Sequence, residues 1–445
     1  MQEKYLKLAL ITLLMMSSAT VLALPFNSFD PRSMAMGSTG VAVGNPSTAP
    51  FFNPALLTAS DPKLTFSVEF PIIGGRLYDP GDLQHKIPTL SDDITALNNS
   101  ISATNLGANP TSAQIAQLPA NLLTLANKVD KVNSSLTSLS GQPLQGELGV
   151  ATVAALPGKD YGFAFYADAW GAMGGTLNFA ASDATTLSTL SAEARATSTA
   201  LSNALTDPAC ARINAGTSTS IADIQACLAA AGRINTLIAN TGAAPTTTLA
   251  SQIHLRGVII SEIGMSVSHG FVVSDKTWSL GLTPKIMQLQ LFDAMLGVNS
   301  LSGATGGDYL AKYSSLNFDL GAAKSYLNGW RTGVVVKNVI PRSFDFKRAP
   351  TAGATPVPTG STLKINPSVR TGVSHENEWS TVAFDLDLTQ NDPAGLEKRS
   401  QYAALGGELS ALGWAQIRAG YRADLLSAER NVTSVGLGIS PRIPY

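Results

Sequence analysis

Residues 381–388 read Thr-Val-Ala-Phe-Asp-Leu-Asp-Leu. In an extended chain, Val382, Phe384, Leu386 and Leu388 share one side, and Thr381, Ala383, Asp385 and Asp387 share the other. Such alternation marks a two-faced strand. It recurs at Leu64, Phe66, Val68 and Phe70, at Leu316, Phe318, Leu320 and Ala322, and at Ala415, Ile417, Ala419 and Tyr421. Looser versions cover 147–156, 161–170, 254–269, 278–291, 331–339, 362–373, 401–410 and 431–439. The pattern predicts about twelve strands. Turn chemistry separates several of them, as at Pro157-Gly158-Lys159-Asp160, Ser274-Asp275-Lys276 and Ala411-Leu412-Gly413. Trp278, Trp330, Trp379 and Trp414 each open a strand just after a turn, which suits an interfacial aromatic girdle.

Composition narrows the class. The chain has 445 residues, of which 44% are hydrophobic and only 14% charged, with a net charge of −1. Globular chains carry about 25% charged residues. A near-neutral chain has no electrostatic footprint for nucleic acid. Two cysteines exclude a disulfide-dense scaffold and a four-cysteine zinc site. Lys4 and Lys7, the apolar run Leu8–Met16 and Val21-Leu22-Ala23 read as a cleaved signal peptide over 1–23, with Leu24 opening the mature chain. No cysteine follows the cut to carry a lipid anchor. No later segment holds the ~20 apolar residues of a spanning helix. An exported chain of alternating strands reads as an all-β transmembrane antiparallel β-barrel, whose backbone is satisfied between strands. A soluble periplasmic β-protein is the competing reading.

Two long inserts break the alternation, at 89–141 and 181–250. Leu90, Ile94 and Leu97, and then Leu118, Leu122, Leu125, Val129 and Val132, are spaced helically. Both inserts are expected to be helical excursions packed on one another. Cys210 and Cys227 lie in the second, with sixteen residues between them. In an exported protein they are expected to pair, a closure contributing about 3 kcal/mol.

No catalytic constellation emerges, and the chain reads as a non-enzyme without a cofactor or metal site. His85, His254, His269 and His375 are scattered, and nucleophile-elbow and phosphate-loop motifs are absent. The glycine-rich pieces at 171–175 and 303–307 read as loop and strand-bend glycines. Asp385 and Asp387 share a strand face and are expected to line an aqueous lumen opposite Arg418 and Arg422. Glu69, Glu262, Asp319, Arg331 and Lys337 fit the same lumen wall.

Residues 25–57 read PFNSFDPRSMAMGSTGVAVGNPSTAPFFNPALL. The stretch is rich in small residues and lacks a period, which suits a plug of residues 24–60 packed in a confined space. It resembles the N-terminal hatch of the FadL-type outer-membrane transport proteins. Ala35-Met36-Gly37-Ser38-Thr39-Gly40-Val41-Ala42 and Phe51-Phe52-Asn53-Pro54-Ala55 carry the resemblance, with Ser38 where that family usually has glycine. Asp30–Gly37 is closer still to the barrel group named conjugal transfer protein TraF. That group is separate from the thioredoxin-like proteins of the same name, whose C-x-x-C this chain lacks. Leu280-Gly281-Leu282-Thr283-Pro284-Lys285 resembles a further shared segment.

The resemblance implies a fourteen-stranded barrel in the outer membrane of a Gram-negative bacterium. It also implies passive uptake of a hydrophobic small molecule, with Met36, Gly37, Phe51, Phe52, Asn53, Pro54 and Ala55 as gate elements. The alternative it implies is a structural component of a conjugation or secretion apparatus, with partner proteins docking on the inserts. Tyr445 is a terminal aromatic residue, but Pro441 and Pro444 disfavour a paired last strand. Together with a count two short of fourteen, this reads either as two strands passed over or as a clipped final hairpin, the second being favoured.

Overall fold

The computed structural model describes residues 22–23, 29–59, 66–105, 111–206, 249–273, 276–297, 310–348, 355–396, 398–410 and 414–439. Its frame is one twelve-stranded sheet. In chain order the strands are β1 (Ser67–Tyr78), β2 (Pro143–Leu156), β3 (Tyr161–Asn178), β4 (Gln252–Val273), β5 (Lys276–Gly297), β6 (Leu310–Ser325) and β7 (Trp330–Lys337). A hairpin of β8 (Arg342–Arg348) and β9 (Val357–Ile365) then leaves the sheet. The sheet resumes with β10 (Ser368–Glu376), β11 (Ser380–Asp387), β12 (Tyr402–Leu409), β13 (Ala415–Asp424) and β14 (Val432–Ile439). Neighbours in the sheet are neighbours in sequence, apart from that excursion between β7 and β10, and each pairing is antiparallel. Within the described residues, the strands read from alternation correspond one to one to these twelve, except that the strand expected over 362–373 overlaps both β9 and β10. Leu64, the turns at 274–275 and 411–413, the glycines of 303–307, Pro441, Pro444 and Tyr445 lie outside the described residues.

Alternation puts the apolar and charged residues on faces opposite to those of a soluble protein. On β4, Ile259, Ile263 and Met265 are about half exposed, while Val258, Ile260 and Glu262 between them are buried. The sheet curls around the short helix α1 (Pro31–Ala35) until both of its end strands face that helix. A Cβ added at Gly74 of β1 would lie 2.9 Å from Met34 Sδ, and one at Gly436 of β14 would meet the Ala35 methyl. Short turns join the strands at one end. The other end carries the long excursions.

Two sequence expectations are corrected. The single strand expected over 362–373 is two: β9 ends at Ile365 and β10 starts at Ser368. Pro367, which has no N–H to donate, lies between them. Beyond two single-turn helices, α2 (Ala49–Phe52) and α3 (Leu56–Ala59), the first insert starts at Leu83, not at 89, as helix α4 (Leu83–Thr104). The Asp79 carboxylate accepts from the amides of Leu83 (2.7 Å) and Gln84 (2.9 Å), so the helix begins before its apolar spacing does.

Helix α5 (Ser112–Leu139) opens with a capping box between Thr111 and Gln114. Helix α6 is Ala181–Leu205. Leu90 and Leu97 of α4, Leu125, Val129 and Val132 of α5, and Leu187 and Ala194 of α6 share one apolar core. Cys210 and Cys227 lie outside the described residues, as does the rest of 207–248. Among the described residues no helix is long and apolar enough to cross a membrane. Leu22–Ala23, within the stretch read as signal peptide, pair in parallel with Gln390–Asn391.

Candidate functional site

The interior of the curled sheet is filled in layers, and the inward residues of β4 and β5 number them from the short-turn end. The first layer is the N-terminal segment 29–59, almost wholly buried. Its backbone lies so close to the wall that inward positions there are glycine. A Cβ at Gly333 would lie 2.6 Å from Val41 O, and one at Gly162 would lie 2.8 Å from Leu57 O.

Polar grips fix this segment. Asp30 caps α1 by accepting from Ser33 N at 2.8 Å. Arg32 makes a two-point contact with Glu408 at 2.9 and 3.0 Å, and Arg418 shares that carboxylate at 2.5 Å. Asp385 accepts from the amides of Gly40 (2.8 Å) and Val41 (3.1 Å). Asn53 donates to Val41 O (3.0 Å) and to Ala322 O of β6 (3.1 Å), and accepts from Ala55 N (3.1 Å). Lys337 donates to Phe51 O at 3.0 Å. The Phe51 ring meets Tyr166 edge-on at 5.3 Å. Phe52 fills the space in front of Gly40, and Met36 packs with Val43 and Ala383. Gly37 sits at φ +70, a left-handed conformation that favours glycine.

The second layer is ionic. Lys285 donates to Glu262 at 3.1 Å and to Asp319 at 3.2 Å, with all three side chains buried. Tyr166 OH donates to Glu262 at 3.5 Å, and Asp319 also accepts from Asn338 N at 2.8 Å. The third layer is apolar. Val258, Ile260, Met287, Leu289 and Leu291 of the wall pack on Phe344, Phe346, Leu363 and Ile365 of the β8–β9 hairpin, which is folded inward. The fourth is a clasp at the long-loop end. Asp293, 1% exposed, meets His254 at 2.9 Å, Arg256 at 3.0 Å and, from the hairpin, Arg348 at 2.7 Å. A cavity of about 360 Å³ remains between the end strands, lined by Met34, Arg76, Tyr78, Tyr402, Arg422 and Val432 among others.

The inward positions read from the sequence face this interior, but their partners differ from those expected. Asp387 pairs with Arg370 at 2.5 Å, and Asp385 holds backbone amides. Neither meets Arg418 or Arg422, because β12 separates their strands: Asp385 is opposite Ala404, and Ala404 is opposite Arg422. Arg422 instead lies 4.4 Å over the Tyr402 ring. Glu69 accepts from Ser47, and Arg331 donates to Ala42 O at 3.3 Å. These charges are locked in contacts within a packed interior, where an aqueous lumen was expected. Sequence reading missed Arg32, Lys285, Glu408, Asp293 and the hairpin phenylalanines. Lys285 had a usable signal, since it shares the inward parity of Gly281 and Thr283 on β5.

Residues 50–387 match the model of the family described as F plasmid transfer operon, TraF, protein. Among solved structures, the chain is similar to the Pseudomonas putida toluene transporter TodX, at 10% identity and a TM-score of 0.38, over 90% of this chain and 84% of that one. It is similar to the Ralstonia pickettii toluene transporter TbuX, at 11% and 0.34, over 93% and 96%. It is also similar to a Pseudomonas aeruginosa FadL homologue, at 11% and 0.28, over 66% of each chain. No curated protein matches the chain.

Proposed function

The chain belongs to the F plasmid transfer operon TraF family, and from that premise we propose an outer-membrane barrel that admits a hydrophobic small molecule passively. The observation that carries the membrane reading is the reversed distribution of side chains. Apolar residues stand outward and exposed on the wall, while Glu262, Lys285 and Asp319 are paired inside. Water would not tolerate so much apolar surface, whereas a bilayer favours it. Long excursions on outer-membrane barrels face the cell exterior, so on this reading the helices, and the end of the interior that the β8–β9 hairpin fills, face the cell exterior. A hydrophobe captured there meets the Asp293 clasp and, beneath it, the apolar layer around Phe344 and Phe346. Passage inward then requires the segment 29–59 to shift, with Phe51, Phe52, Asn53 and Pro54 as the moving gate.

Membrane fractionation with heat-modifiable gel mobility tests the first half. Release by a salt wash, with no mobility shift, would overturn it. Uptake of a hydrophobic probe into vesicles holding the full chain tests the second. Replacing Phe51 and Phe52 by alanine is expected to change the uptake rate, and an unchanged rate for every hydrophobe tried would overturn the gate.

A second reading is favoured by the helical insert. Its three helices share a core of their own on the long-loop side, as a docking module for a conjugation or secretion partner would. Recovery of one partner complex by the native chain, and its loss when the helices are deleted, would support that reading.

A further inference from the structure

On the outward side of the wall, β5, β6, β7 and β10 leave a groove of about 190 Å³. Its floor is Ala322, Val334, Val369 and Leu388. Their sequence neighbours Ala323, Gly333 and Val335 turn inward and are buried, which puts the floor on the lipid side. The groove exists because Ala322 is small where Leu320, its outward neighbour on β6, is large and exposed. Its mouth is at the short-turn end, where Trp278, the third residue of β5, pairs in register with Lys324, and Lys324 pairs with Thr332.

The Lys324 ammonium lies 4.4 Å over the Trp278 ring and 5.1 Å from the Tyr326 ring. These rings orient the cation, but they do not neutralise it. Among the described residues no carboxylate pairs with it. A lysine on the lipid face of a barrel is strongly disfavoured at the midplane and tolerated at the interface. Its depth therefore matches the headgroup level, as do the outward aromatic pairs at the same end, Tyr161 with His269 and Trp330 with His375. The site thus combines an apolar channel running along the strands with an unneutralised cation at its interfacial mouth.

We propose that this groove binds one anionic phospholipid of the inner-facing leaflet. An acyl chain lies along Ala322, Val334 and Val369. The phosphate takes the Lys324 ammonium, with the Thr332 hydroxyl beside it. The proposal rests on the membrane reading above, since only a wall that faces lipid presents this groove to an acyl chain.

Trp278 is a built-in reporter. The full chain is reconstituted in phosphatidylcholine vesicles containing a minor fraction of phosphatidylglycerol, with bromine on the acyl chains of one lipid or the other. The Trp278 signal is the difference between the native chain and Trp278→Phe. Brominated phosphatidylglycerol is expected to quench it about fivefold more effectively than brominated phosphatidylcholine at equal fraction, the preference one lysine confers at an anionic surface. Lys324→Gln should bring that ratio to one, and Lys324→Arg should keep it. Ala322→Phe, which fills the floor, should weaken quenching by both lipids. Each variant is first checked for native heat-modifiable mobility. Equal quenching by the two lipids in the native chain, or a ratio that survives Lys324→Gln, overturns the lipid site. If neither brominated lipid quenches the outward Trp330, the membrane reading itself fails, and the site with it.

Discussion

Two pieces of chain fill the same interior by different means. The N-terminal segment 29–59 is seated backbone against backbone, in notches that only glycine leaves open, and it is gripped from opposite sides of the wall. Glu408 of β12 holds Arg32 on one side, and Ser268 of β4, six strands away in the sheet, meets Thr58 at 2.6 Å on the other. The β8–β9 hairpin touches the wall through apolar side chains and the partners of one acid, Asp293. The first piece is built into the fold, because the sheet curls around it. The second is a two-stranded addition outside the pairing of the main sheet, and its departure is expected to leave the wall intact. In a channel that opens from outside, the hairpin would move first and the hatch last.

The strongest way to break this contrast is to weaken the hatch core. Phe52 is 1% exposed and packs at Gly40. Phe52→Ala should cost about 3–5 kcal/mol, read as a lower midpoint of denaturant-induced loss of the heat-modifiable form. Phe346→Ala in the hairpin removes a comparably buried ring, yet should lower that global midpoint much less. Equal losses would mean that the two plugs are equally integral. Next in size is Gly333→Ala, which drives a methyl group towards Val41 O and should cost about 1–3 kcal/mol of overpacking. Gly146, where an added Cβ meets nothing within 4 Å, supplies the neutral control.

The clasp gives a smaller and more local effect. Breaking a buried ion pair costs about 3–5 kcal/mol. The partners of Asp293 keep 20–30% of their side-chain exposure, and water screens the loss. Asp293→Asn should therefore cost about 1–2 kcal/mol. The measurement is limited proteolysis. Cleavage within 342–365 should accelerate severalfold while 29–59 stays protected. Faster cleavage of both would show that hatch and hairpin open together.

This contrast also explains what could be read without coordinates. The wall was legible because period-two alternation repeats locally, strand after strand. The hatch was legible as a run of small residues that fits neither period. Which charges face inward followed from the same parity, as Glu262 and Asp319 show. Their partners did not, because pairing depends on which strands are adjacent, and Asp385 is two strands away from Arg422. The clasp joins His254, Asp293 and Arg348, separated by 39 and 55 residues, with no local signature. The hairpin was missed because Phe344 and Phe346 are too short a run of alternation to register. The glycine notches were hidden among 39 glycines, most of which could serve turns or bends.

The smallest expected effect concerns a second single-acid clasp, outside the wall. Asp183 in the first turn of α6 accepts from Ala250 N at 3.0 Å and Ser251 N at 2.7 Å, tying the insert to the start of β4. Burial works against its ionised form. The hydrogen bonds from Ser251 and the two amides nevertheless hold the carboxyl below the ordinary carboxylate range. A depressed folded-state value means that the stabilisation is present above the unfolded pKa of about 3.9 and is lost as pH falls through the folded value. Acidification from pH 7 to below about pH 4 should open this junction by on the order of 1 kcal/mol. The amides of Ala250 and Ser251 should then exchange several-fold faster than intrinsic acid chemistry accounts for, while the core of α5 keeps its protection. Asp183→Asn should show the faster exchange already at pH 7 and respond little to acid. If acidification at no pH accelerates exchange at the native junction, Asp183 is not its clasp. The insert would then be held by its apolar core, in the way the hairpin's phenylalanines hold the hairpin.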